Sequence, residues 1–247
     1  MTGALVAGVS RSANAVAVPS RAHSTWHDMK RILYSGTKNA SSWAFRAWLA
    51  LREGGVSFEE VVVDIRVPQR YENLAAIGKF SPPGAVPVLV DADVVIYDSL
   101  AIMEYANELS GGKLLPGAVR PRAHCRSMLA WQHSGLSNIC PRLSFESSFY
   151  ANRRAMTLEE RAAAGRVFGV WEKELTESGG PFLMGQLSLA DLAFVPTIQR
   201  LSCHVESLAE WPRTRSWVER MRGLESVSEW LSAACRLPEV MHDEYYE

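Results

Sequence analysis

Two apolar runs, residues 86–90 and Val94–Tyr97, stand either side of Asp91-Ala92-Asp93. So short a connection makes the two runs a tight antiparallel hairpin. What precedes the hairpin constrains the fold further. Residues 31–34 form a short apolar run ending at Ser35-Gly36, which predicts a strand. Ser42–Glu53 carries Trp43, Trp48, Leu49 and Leu51 and stops at Gly54-Gly55, the pattern of a helix with a glycine terminator. Residues 58–65 are rich in valine and predict a second strand, residues 70–77 a short helix, and Ser81-Pro82-Pro83-Gly84 a loop. After the hairpin, Ser99–Leu109 sets Leu100, Ile102, Met103 and Tyr105 at helical spacing. The order β-α-β-α-β-β-α implies one mixed sheet, because a β-α-β unit joins parallel strands and the hairpin adds an antiparallel pair.

The remainder of the chain reads as helical. Gly111-Gly112 through Pro121, with Pro116-Gly117 inside, predicts a linker. Thr157-Leu158-Glu159-Glu160 is a capping box before a long helix that Gly179-Gly180-Pro181 ends. Ser188-Leu189-Ala190-Asp191 is a second such box, in which the Asp191 carboxylate reaches back to the Ser188 N–H. Trp211-Pro212 opens a further helix, and residues 226–234 the last. The expected organisation is a non-globular extension at 1–29, an α/β domain at 30–110, a linker at 111–120, a helical domain at 121–236 and an exposed acidic tail at 237–247. The extension is poor in acids and contains arginine and serine, a composition compatible with an organelle transit peptide.

Composition removes several functional classes. With 26 basic and 27 acidic residues, the formal charge of −1 gives no global case for nucleic acid. No apolar run approaches the roughly 18–20 residues of a membrane helix, so the chain is expected to be cytoplasmic and free of membrane contact. Cys125, Cys140, Cys203 and Cys235 have no C-x-x-C spacing, and none lies near the first helix. Neither a redox dithiol nor a metal site is expected.

Three segments carry chemistry. In Gly84-Ala85-Val86-Pro87-Val88-Leu89, the proline opens a strand, where no backbone donor is needed. In Asp98-Ser99-Leu100-Ala101-Ile102, an acid and a serine precede a helix and can cap it. In Ser41-Ser42-Trp43-Ala44-Phe45-Arg46, either serine can cap the first helix. Taken together, in this order and before a helical domain, these segments resemble the glutathione transferase superfamily over about residues 30–235. The third segment is similar to its serine-type classes, including the zeta class, and to a bacterial Ser-Ser-Trp subgroup. The resemblance implies a thioredoxin-like N-terminal domain, an all-helical C-terminal domain and a homodimer.

The resemblance also implies roles. A cis Val86-Pro87 bond would present the Val86 backbone to the cysteinyl backbone of glutathione like an added strand. Ser99 and the helix N-terminus would hold the γ-glutamyl carboxylate, and Asp98 the ammonium. Ser41, or Ser42 in its place, would donate a hydrogen bond to the sulfur. Lowering a thiol pKa by about 2 units takes about 2.7 kcal/mol, within reach of one charge-assisted bond plus a helix dipole. Ala85 stands where the family often has Lys or Gln, so the glycyl carboxylate is expected to find Lys38 or Lys79. The thiolate would attack a small electrophile against a wall drawn from Trp131, His133, Phe145, Phe149 and Tyr150. Arg142, Arg153 and Arg154 are candidates to meet an acidic substrate or to be a solvated surface. A non-catalytic binding or regulatory protein and a glutathione-dependent isomerase are the alternatives.

Overall fold

The structure, a computed structural model, describes residues 30–136, 139, 142–241 and 245. The extension expected at 1–29, Cys140 and the tail acids Asp243, Glu244 and Glu247 lie outside the described residues. The first half contains β1 (Ile32–Gly36), α1 (Ser42–Glu53), β2 (Glu59–Val63), α2 (Gln69–Ile77), β3 (Val88–Asp91), β4 (Val94–Tyr97) and α3 (Ser99–Leu109). The sheet order is β2-β1-β3-β4, with β1 parallel to β2 and antiparallel to β3. The second half is helical: α4 (Val119–Ser134), α5 (Leu158–Ser178), α6 (Leu189–Ser202), α7 (Pro212–Arg222) and α8 (Glu225–Ala234). This is the expected fold, a thioredoxin-like domain followed by a helical one.

Strand alternation divides the core in two. Leu33 and Leu89 face the large cluster with α1 and α3, while Tyr34, Val88 and Val90 face the opposite side with Ile77 of α2. Side chains along a strand point to alternate faces, so each strand serves both clusters. Helix α1 is buried nearly all round, from Ala44 through Leu51. It packs on α3 within its own domain and on α6 and α8 of the helical one. A helix apolar on every side belongs between layers, and this one joins the two domains.

Differences from the sequence reading have local causes. β1 runs on through Ser35-Gly36 because these residues pair with Val62 and Val63. β2 stops at Val63 because Asp64 turns its carboxylate to the Arg66 backbone N–H and guanidinium. That arginine holds the Asp64 carboxyl down at about 2. Helix α4 begins at Val119, inside the expected linker. The acidic tail is not simply exposed. Although Glu239 is at the surface, its carboxylate accepts from the Ala151 N–H at 2.7 Å, the Val240 carbonyl accepts from Tyr150, and the Pro238 carbonyl accepts from Asn39. Tyr245 is buried, with its hydroxyl 2.7 Å from His204 Nε2. Aromatic packing pins this segment despite its charge.

Candidate functional site

The site begins where β1 ends. Thr37 fixes the loop after Gly36: its carbonyl accepts from the Ala40 and Ser41 N–H groups, and its hydroxyl bonds Asp64 and accepts from Ile65 N–H. This places Ser41 as the N-cap of α1, 4% exposed, its Oγ accepting from Ala44 N–H at 3.3 Å. Ser41 and Val86 close on Gly36 from two sides. A Cβ there would lie 2.6 Å from Ser41 Cβ, 2.8 Å from its Oγ and 3.1 Å from Val86 Cγ2. Gly36→Ala is therefore expected to cost about 1–3 kcal/mol of stability through overpacking, measurable by denaturant unfolding. The β1–β3 ladder stops at Tyr34–Val88, which leaves Val86 beyond the last pair. Val86-Pro87 is cis, as the resemblance implies.

Asp98 is the N-cap of α3, and its carboxylate accepts from Leu100 N–H at 2.7 Å. Its φ of 73° is rare for a non-glycine residue and costs of order 1–3 kcal/mol. Ser99, 2% exposed, follows it, and its Oγ has no hydrogen-bond partner among the described residues. The Leu100 N–H is thus capped by Asp98, and the buried Ser99 hydroxyl stands beside it at the helix N-terminus, where the dipole favours negative charge.

Between the domains lies a cleft of about 380 Å³, lined on one side by Ser42, Trp43 and Arg46 of α1 and on the other by helical-domain residues including His133 and Phe145. Trp43 is 41% exposed and stands at its rim, stacked by the Arg46 guanidinium at 4.2 Å and met edge-on by His133 at 5.1 Å. His133 Nε2 lies 3.4 Å from Asp98 Oδ2, so this histidine bridges the start of α3 and the cleft.

The expected wall is thus partly assembled. His133 and Phe145 line the cleft. Phe149 packs edge-on against Phe145, Trp131 against Phe194, and Tyr150 is core. Of the arginines, Arg142 is a solvated surface residue paired with exposed Glu159, while Arg154 pairs with buried Glu160 and Arg153 donates to backbone carbonyls. Lys38, expected as a ligand of the glycyl carboxylate, already has a carboxylate partner in this structure. Both oxygens of Glu60 hold its ammonium, at 2.6 and 2.7 Å, and it lies 3.8 Å from the Trp230 ring centroid. Burial lowers its pKa against the pull of Glu60. It ties the α1 loop to β2 and α8 and does not line the cleft; Lys79 is exposed on the turn after α2. Sequence reasoning missed Arg200, Gln132 and Glu146, which also line the cleft. One signal was available for Arg200: it is the one cation of a helix made mostly of apolar residues.

Two of the thiols are held protonated by burial. Burial pushes Cys125 up to about 11 and raises Cys203 as well. Among the described residues no group of three or more His, Cys, Asp or Glu is placed to hold a metal, and no helix is long and apolar enough to cross a membrane.

Comparison with known proteins gives this geometry a lineage. The family model for the glutathione S-transferase N-terminal domain matches residues 40–109, and that for the C-terminal domain matches 144–234. Glutathione S-transferase 1 of Dianthus caryophyllus is 32% identical over 76% of this chain and 85% of its own length. Maleylacetoacetate isomerase of Mus musculus is 28% identical over 74% and 83%. A glutathione transferase homolog from Burkholderia, solved with bound glutathione, has the same fold at TM-score 0.62 and 21% identity, covering 85% of this chain and all of its own. The chain belongs to the glutathione S-transferase family.

Proposed function

We infer that the chain is a serine-type glutathione transferase that delivers the glutathione thiolate to a small electrophile in the interdomain cleft. The observation that carries this reading is the convergence of Ser41 and Val86 on Gly36. A tripeptide laid along Val86 as an added strand has its cysteine beside the N-terminus of α1. Its γ-glutamyl carboxylate takes the Ser99 hydroxyl and the N–H groups of α3, and its ammonium takes Asp98. The sulfur accepts a hydrogen bond from Ser41. A thiolate there faces the cleft bordered by Ser42 and Trp43.

Calorimetric titration with glutathione tests the reading. Wild type is expected to bind in the micromolar to millimolar range. Ser99→Ala is expected to weaken binding about tenfold, the worth of one charge-assisted hydrogen bond. The same substitution should leave the unliganded protein as stable as before, because the Ser99 hydroxyl has no partner to lose among the described residues. Unchanged affinity together with lost stability would make Ser99 a helix-end residue and nothing more. An absence of binding by wild type at millimolar glutathione would reverse the proposal in favour of a non-catalytic member of the family.

A further inference from the structure

The turn that delivers Ser41 to α1 is held in part from outside its own domain. The Lys38 carbonyl accepts from the Trp230 indole N–H of α8 at 2.9 Å. Asn39 is 1% exposed, and its Nδ2 donates to the Pro238 carbonyl at 2.8 Å, across 199 residues of sequence. This is the one hydrogen bond of the Asn39 side chain among the described residues, because its buried Oδ1 has no partner there. Without Pro238 the whole amide would be buried and unanswered, a costly state for a polar group.

The segment that takes hold of Asn39 also takes hold of the opposite wall. Two residues beyond Pro238, the Val240 carbonyl accepts from the Tyr150 hydroxyl at 2.8 Å, and the Glu239 carboxylate accepts from Ala151 N–H at 2.7 Å. Tyr150 closes the 3₁₀ turn Glu146–Phe149. Phe145 and Glu146, where that turn begins, line the helical side of the interdomain cleft, while Ala40 and Ser42 line the other side. An extended chain spans at most about 3.6 Å per residue, so two residues bridge no more than about 7 Å. Parting the two walls here therefore strains the segment or breaks one of its bonds. None of the side chains of 238–240 is buried, so the segment adds little to the core at this point and its contribution is the connection.

We propose that residues 238–240 form a clasp joining the two sides of the cleft, and that Asn39 is the positioning residue through which the clasp sets the Ser41 hydroxyl. The role in chemistry rests on the transferase reading above, while the clasp itself does not. Asn39 acts through the turn. The Ala40 and Ser41 N–H groups both bond to the Thr37 carbonyl, so a displaced Asn39 carries the turn and Ser41 with it. Val86, Asp98 and Ser99, assigned to hold the tripeptide, form no hydrogen bond with the clasp among the described residues. Releasing the clasp is expected to disturb the thiolate and spare the binding of glutathione.

Two variants release the clasp from opposite ends. Asn39→Ala frees the turn, and Tyr150→Phe removes the hydroxyl that holds Val240 while keeping the ring. Hydrogen exchange of the amides of 37–45, read by mass spectrometry without glutathione, is expected to quicken about three- to tenfold in both, the worth of one hydrogen bond. With glutathione, Asn39→Ala should lower kcat about three- to tenfold and move the bound thiol's titration up by about half a unit to one unit, with KM for glutathione within about twofold of wild type. The double variant should be no slower than Asn39→Ala alone, because both act through one segment. Should Asn39→Ala fail to fold, Tyr150→Phe carries the same test, with kcat lowered about two- to threefold. Unchanged exchange at 37–45 in Tyr150→Phe, or losses in kcat that multiply in the double variant, overturn the clasp. Lost stability with kcat and the thiol titration unchanged overturns the positioning role of Asn39. A wild type that binds no glutathione overturns the transferase reading, and the exchange measurement then decides the clasp by itself.

Discussion

Replacing Ser41 by glycine is expected to lower kcat/KM about 10- to 100-fold at neutral pH while changing stability by only a few tenths of a kcal/mol. The hydroxyl accepts from Ala44 N–H at 3.3 Å, which makes Ser41 a helix cap. Capping and catalysis do not compete for this group. A serine hydroxyl has two lone pairs and one O–H, so it can accept from the helix and donate to a sulfur at the same time. The substitutions separate the two roles. Glycine is tolerated at an N-cap at little cost, whereas alanine loses about 0.5–2 kcal/mol. Both remove the donor to the thiolate, worth about 1–2 pKa units at 1.36 kcal/mol each. Ser41→Gly and Ser41→Ala should therefore be equally slow and unequally stable. The bound thiol's titration, followed by ultraviolet absorbance, should move up by the same amount in both. Ser42 lines the cleft instead, and Ser42→Ala is the control. If the Ser42 variant loses the thiolate and the Ser41 variants keep it, the roles of the pair are reversed.

The elements that carry this argument were legible to different degrees. The helices α1 and α3 fall at the residues their caps and stops announced, because Ser41, Gly54 and Asp98 act within one turn of the chain. The hairpin was equally local. Strand ends were less legible, since whether Ser35-Gly36 belongs to β1 depends on β2, more than twenty residues later. The cleft was read least well. Arg46 could be seen as part of a motif, but its neighbours Arg200, Gln132 and Glu146 come from three elements remote in the chain. Hydrophobic periodicity places a helix and does not say which of its polar residues will meet those of another. Lys38 shows the converse. Its charge suggested a ligand for a carboxylate, and a nearer carboxylate, Glu60, was already there.

The largest effect on stability is expected far from the cleft, at Asp191. Its side chain is wholly buried at the start of α6 and gathers four donors. Oδ1 accepts from Leu183 N–H and the Trp217 indole N–H, both at 2.9 Å; Oδ2 accepts from Ser188 N–H at 2.9 Å and from its hydroxyl at 2.7 Å. Asp191→Ala leaves these donors buried without an acceptor and is expected to cost about 3–5 kcal/mol. At about 2–4 °C per kcal/mol for a chain of this size, the melting temperature falls by roughly 6–20 °C. Asp191→Asn should cost less, about 1–3 kcal/mol, because its oxygen can replace Oδ1 while its NH₂ meets the Ser188 N–H donor to donor. The charge itself is a separate matter. Burial pushes the carboxyl up to about 6, opposed by the four hydrogen bonds, against 3.8 when unfolded. A raised carboxyl pKa means that the folded chain binds a proton the unfolded chain does not. This group therefore contributes more to stability as pH falls from 7 towards 4, and that contribution is withdrawn as pH rises through 6. Denaturant unfolding between pH 7.5 and pH 5 should accordingly show wild type gaining on Asp191→Asn as the pH drops. A constant difference across that range would place the carboxyl pKa near its unfolded value, and the four donors would then fully offset burial.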